Sequence, residues 1–246
     1  MTELRKEKKM YLELKNVRYA YDKQIVLNDI NFSIEKGEIT GLIGANGAGK
    51  TTTILNLTKK ITPQSGEILV NGINLQNIKM SEIKTSYIPD APVYYEELTL
   101  LEHLQFVKAL YPKNTIDVDQ IIDILELNEH LYKIPCMLSK GTLQKMMIAL
   151  ALIRDYDLLI ADEPFNGLDP KQINVFKNIL KENRFANKAV LISTHLLDMV
   201  EDLCDKFVMI HEGIIIAAGS KQDIIHQYNL DKDSSLEKVY LNLINR

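Results

Sequence analysis

An α/β fold organised around a phosphate-binding loop is predicted by three features of the chain. The first is Gly44-Ala45-Asn46-Gly47-Ala48-Gly49-Lys50-Thr51-Thr52, which fills the pattern G-x-x-x-x-G-K-[ST]. Glycines here let successive N–H groups turn inward on phosphate oxygens, Lys50 reaches the outer phosphates, and the Thr51 hydroxyl is placed to ligate Mg²⁺. The second is its setting: the apolar run Ile39-Thr40-Gly41-Leu42-Ile43 before the loop, and a helical pattern from Thr52 to Lys60 after it. That is the strand, loop, helix order the motif requires, and the helix adds its positive dipole end. The third is a pair of later apolar runs, Leu158 to Ala161 and Val190 to Thr194, of the kind that form strands buried on both faces.

Upstream of the loop, Tyr11-Leu12-Glu13-Leu14 and the alternating Ile30, Phe32 and Ile34, closed by a turn at Lys36-Gly37, predict antiparallel sheet. After the first helix, Glu67 to Val70 reads as a strand entering a tight turn at Asn71-Gly72. Between Ala91 and Arg154 helical patterns replace strand signals, over Leu98 to Leu110, Asp119 to Leu127 and Gly141 to Arg154. Asp169 and Pro170 form an N-cap and first-turn pair ahead of the stripe Ile173, Phe176 and Leu180. Phe207 to Ile210 pairs through Glu212-Gly213 with Ile214 to Ile216, and Leu236, Val239, Tyr240 and Leu243 fall at helical spacing. The expected organisation is a single domain over 1–246. An N-terminal β subdomain and the first part of the core occupy 10–90, an inserted helical subdomain 91–154, the rest of the core 155–219, and a helical tail 220–246.

With 46% apolar residues in 246, the chain can bury a sizeable core. A net charge of −4 gives no overall attraction to nucleic acid, so no nucleic-acid partner is expected. The basic run Arg5-Lys6-Glu7-Lys8-Lys9 reads as a solvated terminus, and because no apolar h-region follows it, it is not expected to be a signal peptide. The apolar runs fall far short of the ~20 residues that span a bilayer, so any membrane crossing belongs to another chain. Cys136 and Cys204 have no metal-ligand spacing and are expected to be buried, reduced thiols.

The run Leu158 to Ala161 ends in Asp162-Glu163. Asp162 is placed to orient a Mg²⁺ shell, and Glu163 to orient or deprotonate a water attacking the terminal phosphate. Further on stand Leu138-Ser139-Lys140-Gly141-Thr142, Gly167-Leu168-Asp169-Pro170, and His195 at the end of the run Val190 to Thr194. In this order and spacing they resemble the ATP-binding subunits of ABC transporters over nearly the whole chain. The resemblance implies a RecA-like P-loop NTPase core and a Mg-dependent ATPase, turning ATP and water into ADP and phosphate.

It also implies roles for particular residues. Tyr21 matches the aromatic that stacks on adenine, with Tyr19 the competing candidate. Ser139 and Gly141 match the signature, usually LSGGQ, which grips the γ-phosphate of the opposite protomer; Lys140 and Thr142 depart from it. Gly167 to Pro170 resembles the D-loop, and His195 the switch histidine. Asp90, in Tyr87-Ile88-Pro89-Asp90, stands where the family usually has the Q-loop glutamine, a metal ligand. ATP and Mg²⁺ are thus the expected cofactors. The expected partners are an integral-membrane permease and a second ATPase subunit, either another copy or a paralogue, at the cytoplasmic face of the membrane.

The run Tyr87 to Thr99, the Ser-Lys-Gly signature and the tail Ser235 to Tyr240 look most like the Ecs type, near the bacitracin- and peptide-exporting subunits. Tyr94 and Tyr95, beside the Q-loop, are either permease contacts or packing for the helical lobe. The alternative class is a soluble ABC ATPase in a non-transport assembly, such as an iron–sulfur scaffold or a regulatory complex.

Overall fold

The computed structural model describes residues 10–112 and 116–245. The basic run Arg5 to Lys9 lies outside the described residues. The chain opens with β1 (Met10–Tyr21) and β2 (Gln24–Glu35), an antiparallel hairpin whose inward face carries Ile30, Phe32 and Ile34. β3 (Ile39–Ile43) is buried throughout and runs into the phosphate loop, after which α1 (Lys50–Leu57) begins. β4 (Ser65–Val70) and β5 (Ile73–Asn74) meet at Asn71-Gly72, where φ is 51° and 77°. Two positive φ values in succession are what a type I′ hairpin turn demands of these residues.

β6 (Thr85–Ile88) leads into a stretch of helices, α2 (Leu100–Leu110), α3 (Val118–Ile124) and α4 (Lys140–Leu152). The chain returns to the sheet as β7 (Leu158–Asp162), followed by α5 (Pro170–Phe185), β8 (Ala189–Thr194), α6 (Leu197–Val200), β9 (Lys206–His211) and β10 (Ile214–Gly219). It closes with α7 (Lys221–Gln227) and α8 (Leu236–Ile244). Pro170 opens α5 beneath a capping box between Asp169 and Gln172, which satisfies two otherwise unpaired first-turn donors.

Two sheets result. The first, ordered β2-β1-β4-β5, is antiparallel; the second, β10-β9-β3-β8-β7-β6, is parallel except for its β10 edge. One apolar cluster packs helices on a face of the parallel sheet through residues such as Leu104, Met146, Phe176 and Val239. The other fills the space between the two sheets and α1 through Leu27, Ile34, Ile54 and Ile160. Because β3, β6, β7 and β8 run the same way, their carboxyl ends form one rim, where α/β sheets place ligands.

Three details depart from the sequence reading. Thr85 to Ile88 forms an edge strand that the apolar pattern did not reveal, and α1 stops at Leu57, ahead of Lys59 in a left-handed conformation. Cys136, expected to be buried, is exposed, because the turn Pro135–Met137 buries Pro135 and turns its next residue outward. Cys204 does pack its sulfur near Gly41, and burial pushes its thiol pKa up.

Phe176 is fully buried and meets Phe165 edge-on at 6.0 Å. Phe176→Ala is expected to cost about 3–5 kcal/mol of stability, read as a lower urea midpoint with little change in slope.

Candidate active site

Each strand of the rim delivers one part of the site. β3 delivers the loop 44–49, which closes on itself through a hydrogen bond from Ala48 N–H to the Ala45 carbonyl, 3.1 Å. Two of its glycines are sterically required: a Cβ on Gly44 would lie 2.4 Å from the Ile210 carbonyl oxygen, and one on Gly49, at φ 113°, would meet Leu27 at 2.8 Å. Thr99, Asp117, Ser139, Asp169, Ser220 and Ser235 cap their helices with side-chain oxygens, whereas α1 begins at Gly49 with no such cap. Its first-turn donors are left for an anion at the helix's positive end.

β7 delivers the two acids. Asp162 is 1% exposed and accepts a short hydrogen bond from Ser193 Oγ, directly opposite on β8; its Oδ2 is buried without a hydrogen-bond partner. Burial raises its pKa above the usual carboxylate range, against the opposing pull of the Ser193 and Thr51 hydroxyls. Glu163 adopts φ 46°, a left-handed conformation rare for a residue with a side chain and concentrated at functional sites. Its N–H still bonds the Ser193 carbonyl at 3.0 Å, so the turn redirects the side chain without detaching the backbone from β8.

The buried Glu163 carboxylate lies at the centre of a polar cluster that reaches the surface at His195. Oε1 is 3.4 Å from Lys50 Nζ and 2.9 Å from His195 Nδ1, while Oε2 accepts from Thr194 Oγ1 at 3.1 Å and from the His195 backbone N–H at 3.4 Å. Lys50 Nζ in turn donates to the Gly44 and Ala45 carbonyls at 2.8 and 3.3 Å. A cleft of about 320 Å³ opens here, lined by Val26, Asn46, Gly47, Gly49, Lys50, Thr51, Thr52, Asp90 and Glu163. Asp90, exposed at the rim beyond β6, accepts from Asn166 Nδ2 at 3.2 Å. Thr51, Asp162 and Asp90 offer hard oxygen donors, and the unpartnered Asp162 oxygen is suited to Mg²⁺, which completes its shell with substrate phosphates and water.

Tyr21, Ser139 and Gly141 do not line this cleft. Tyr21 is 46% exposed at the tip of the β1–β2 hairpin, packed edge-on against Tyr19 at 5.0 Å. Ser139 caps α4 by accepting from Thr142 N–H at 3.1 Å. Gly141 packs on the D-loop so closely that a Cβ would lie 2.6 Å from the Gly167 carbonyl oxygen, and the stem of Lys140 covers Gly167.

Sequence reasoning passed over several residues that support the loop. Ser193 and Thr194 hold the two acids; the signal was a pair of hydroxyls closing an otherwise apolar strand. Gly213 joins the phosphate loop to the antiparallel sheet: its N–H donates to the Ala48 carbonyl at 3.0 Å, and its carbonyl accepts from Asn28 N–H at 2.7 Å. Tyr240 of α8 accepts the Ala45 N–H at 3.1 Å, a contact no local pattern could reveal.

A parallel-sheet core with this loop and this acid pair defines a P-loop NTPase. The model of the ABC transporter family matches residues 27–166, and the chain belongs to that family. It is similar to the ABC-type transporter ATP-binding protein EcsA of Bacillus subtilis, with 36% identity over 94% of this chain and 96% of the relative. The SkfA peptide export ATP-binding protein SkfE of the same organism is 34% identical over 82% of this chain and 86% of its own length. A solved ATP-binding subunit of an ABC transporter superposes with a TM-score of 0.89 at 37% identity, covering 95% of this chain and 99% of that one. The chain is therefore an ATP-binding subunit of an ABC transporter. No helix among the described residues is long and apolar enough to cross a membrane.

Gly213, at φ 77°, would place a Cβ 2.3 Å from the Val26 carbonyl oxygen. Gly213→Ala is expected to lower stability by about 1–3 kcal/mol and to weaken nucleotide binding, checked by thermal melting and ATP titration of the same sample. Unchanged ATP affinity would show that this turn does not support the loop.

Proposed function

We propose that the chain hydrolyses ATP to power a separate integral-membrane permease from the cytoplasmic face, in an exporter of peptides or similar molecules of the Ecs and bacitracin-export type. The observation that carries the hydrolytic part is the cluster in which Glu163 Oε1, at the end of β7, lies 3.4 Å from Lys50 Nζ, after β3, and 2.9 Å from His195 Nδ1, after β8. The export part draws on the likeness to SkfE, named for peptide export, and the Ecs part on the likeness to EcsA.

Lys50 divides its charge between the loop carbonyls and Glu163. A triphosphate entering the cleft competes for that ammonium, as does the amide-lined loop for the phosphate oxygens. Glu163, still held through Oε2 by Thr194 and the His195 N–H, then presents Oε1 to the attacking water and takes up or orients its proton. The His195 ring steadies the terminal phosphate. Thr51, Asp162 and Asp90 would hold Mg²⁺, which supplies charge neutralisation on the phosphate oxygens when bound. Tyr21 stacks on adenine.

Ser139 and Gly141, which match the signature and do not line the cleft of their own chain, serve a site on a second chain, either another copy or a paralogous subunit. Tyr94 and Tyr95, 38% and 57% exposed just beyond the Q-loop position, are suited to meet the permease.

Glu163→Gln is expected to bind ATP with near-normal affinity, lose about 100-fold or more in turnover, and run as a closed dimer with ATP in size-exclusion chromatography. Normal turnover would remove Glu163 from the mechanism. Asp90→Gln removes one negative charge from the metal's surroundings, so more Mg²⁺ should be needed for half-maximal ATPase activity while hydrolysis persists. An unchanged Mg²⁺ titration curve would exclude Asp90 as a ligand.

A further inference from the structure

We propose that Tyr240, on the C-terminal helix α8, is a positioning residue for ATP binding that fixes the Gly44–Ala45 peptide and, through it, Lys50. The inference rests on the ATPase reading above. One peptide plane is gripped at both ends. Its carbonyl, from Gly44, accepts Lys50 Nζ at 2.8 Å, and its N–H, from Ala45, donates to the Tyr240 hydroxyl oxygen at 3.1 Å. The same hydroxyl faces the Ile210 carbonyl oxygen at 3.5 Å, the atom against which Gly44 is packed too closely to admit a Cβ. The first turn of the phosphate loop is thus seated between β9 and a tyrosine 195 residues away.

The tyrosine is itself held firmly. Leu236, Val239, Tyr240 and Leu243 form the buried face of α8, and Tyr240 is 6% exposed. The helix start is pinned where the Leu236 N–H donates to Glu201 Oε2 at 3.0 Å, while Glu201 Oε1 pairs with Lys221 at 2.5 Å. Glu201 directly follows α6, which begins two residues after His195. The α8 face therefore touches the phosphate loop and is tethered close behind the switch histidine.

Removing the hydroxyl while keeping the ring leaves the Ala45 N–H without its acceptor and frees the peptide to rotate. Because rotation would carry the Gly44 carbonyl away from Lys50, the loss should appear in nucleotide binding more than in the chemical step. In the full chain, Tyr240→Phe is expected to raise both the KM and the Kd for ATP about three- to ten-fold, with kcat within about two-fold of the original. Amide exchange should quicken across residues 44–49 and stay unchanged in β7 and β8.

Wild-type KM, Kd and loop exchange in folded Tyr240→Phe would overturn the proposal. So would a uniform drop in melting temperature with no shift in KM, which marks a packing role alone. Wild-type chain that neither binds nor hydrolyses ATP would overturn the ATPase reading and this inference with it. ATP hydrolysis by wild type together with an unaffected Tyr240→Phe would overturn only the role of Tyr240.

Discussion

A buried carboxylate must be paired, and the pairing of Glu163 determines how the strands of the parallel sheet can be arranged around it. Standing at the end of β7, it takes its partners from the ends of two other strands: Lys50 after β3, and Thr194 and His195 at the end of β8. None of them is free to move independently, since stranding an unpaired charge at a site 8% exposed would cost several kcal/mol. The register that places Asp162 opposite Ser193 and Ile43 opposite Thr194 is therefore tied to the chemistry at the rim as well as to the apolar strands behind it. The left-handed turn at Glu163 is the backbone cost of that arrangement, held in place by its hydrogen bond to β8.

Most of the architecture could be read from the chain because its central parallel strands are apolar on both faces, its antiparallel strands alternate, and most of its helices carry explicit start signals. Ile39 to Ile43, Leu158 to Ala161 and Val190 to Thr194 are all buried, and Asp169-Pro170 caps α5 where the residue types require it. β6 was illegible for a specific reason. Its inward residues are Ser86 and Ile88, and Ser86 compensates for its polarity by donating to the Ala151 carbonyl on α4 at 2.7 Å. A hydroxyl satisfied by a distant helix looks, in sequence, like a loop residue.

The candidate site divides along the same line. Lys50, Thr51, Asp162 and Glu163 belong to motifs whose spacing reports their chemistry; the fold brings Lys50, Thr51 and Glu163 to one cleft with Asp90, with His195 against Glu163 and Asp162 buried at the end of β7 beside it. Gly213 and Tyr240 carry no motif, because what they do depends on contacts between segments far apart in the chain. Tyr21, Ser139 and Gly141 are legible only through resemblance, and within one chain nothing gathers them at the cleft.

The attachment of α4 to the chain leaving β7 has a mechanical consequence. Gln144 Nε2 bonds the Pro164 carbonyl at 3.1 Å, and Gly141 rests on the Gly167 carbonyl with no room for another atom. These two anchors flank the turn that begins at Glu163, one immediately after it and one four residues on. The start of α4 and that turn behave as a single stiff bracket, so a force applied to the helix arrives at the carboxylate as a displacement rather than being absorbed by an intervening loop.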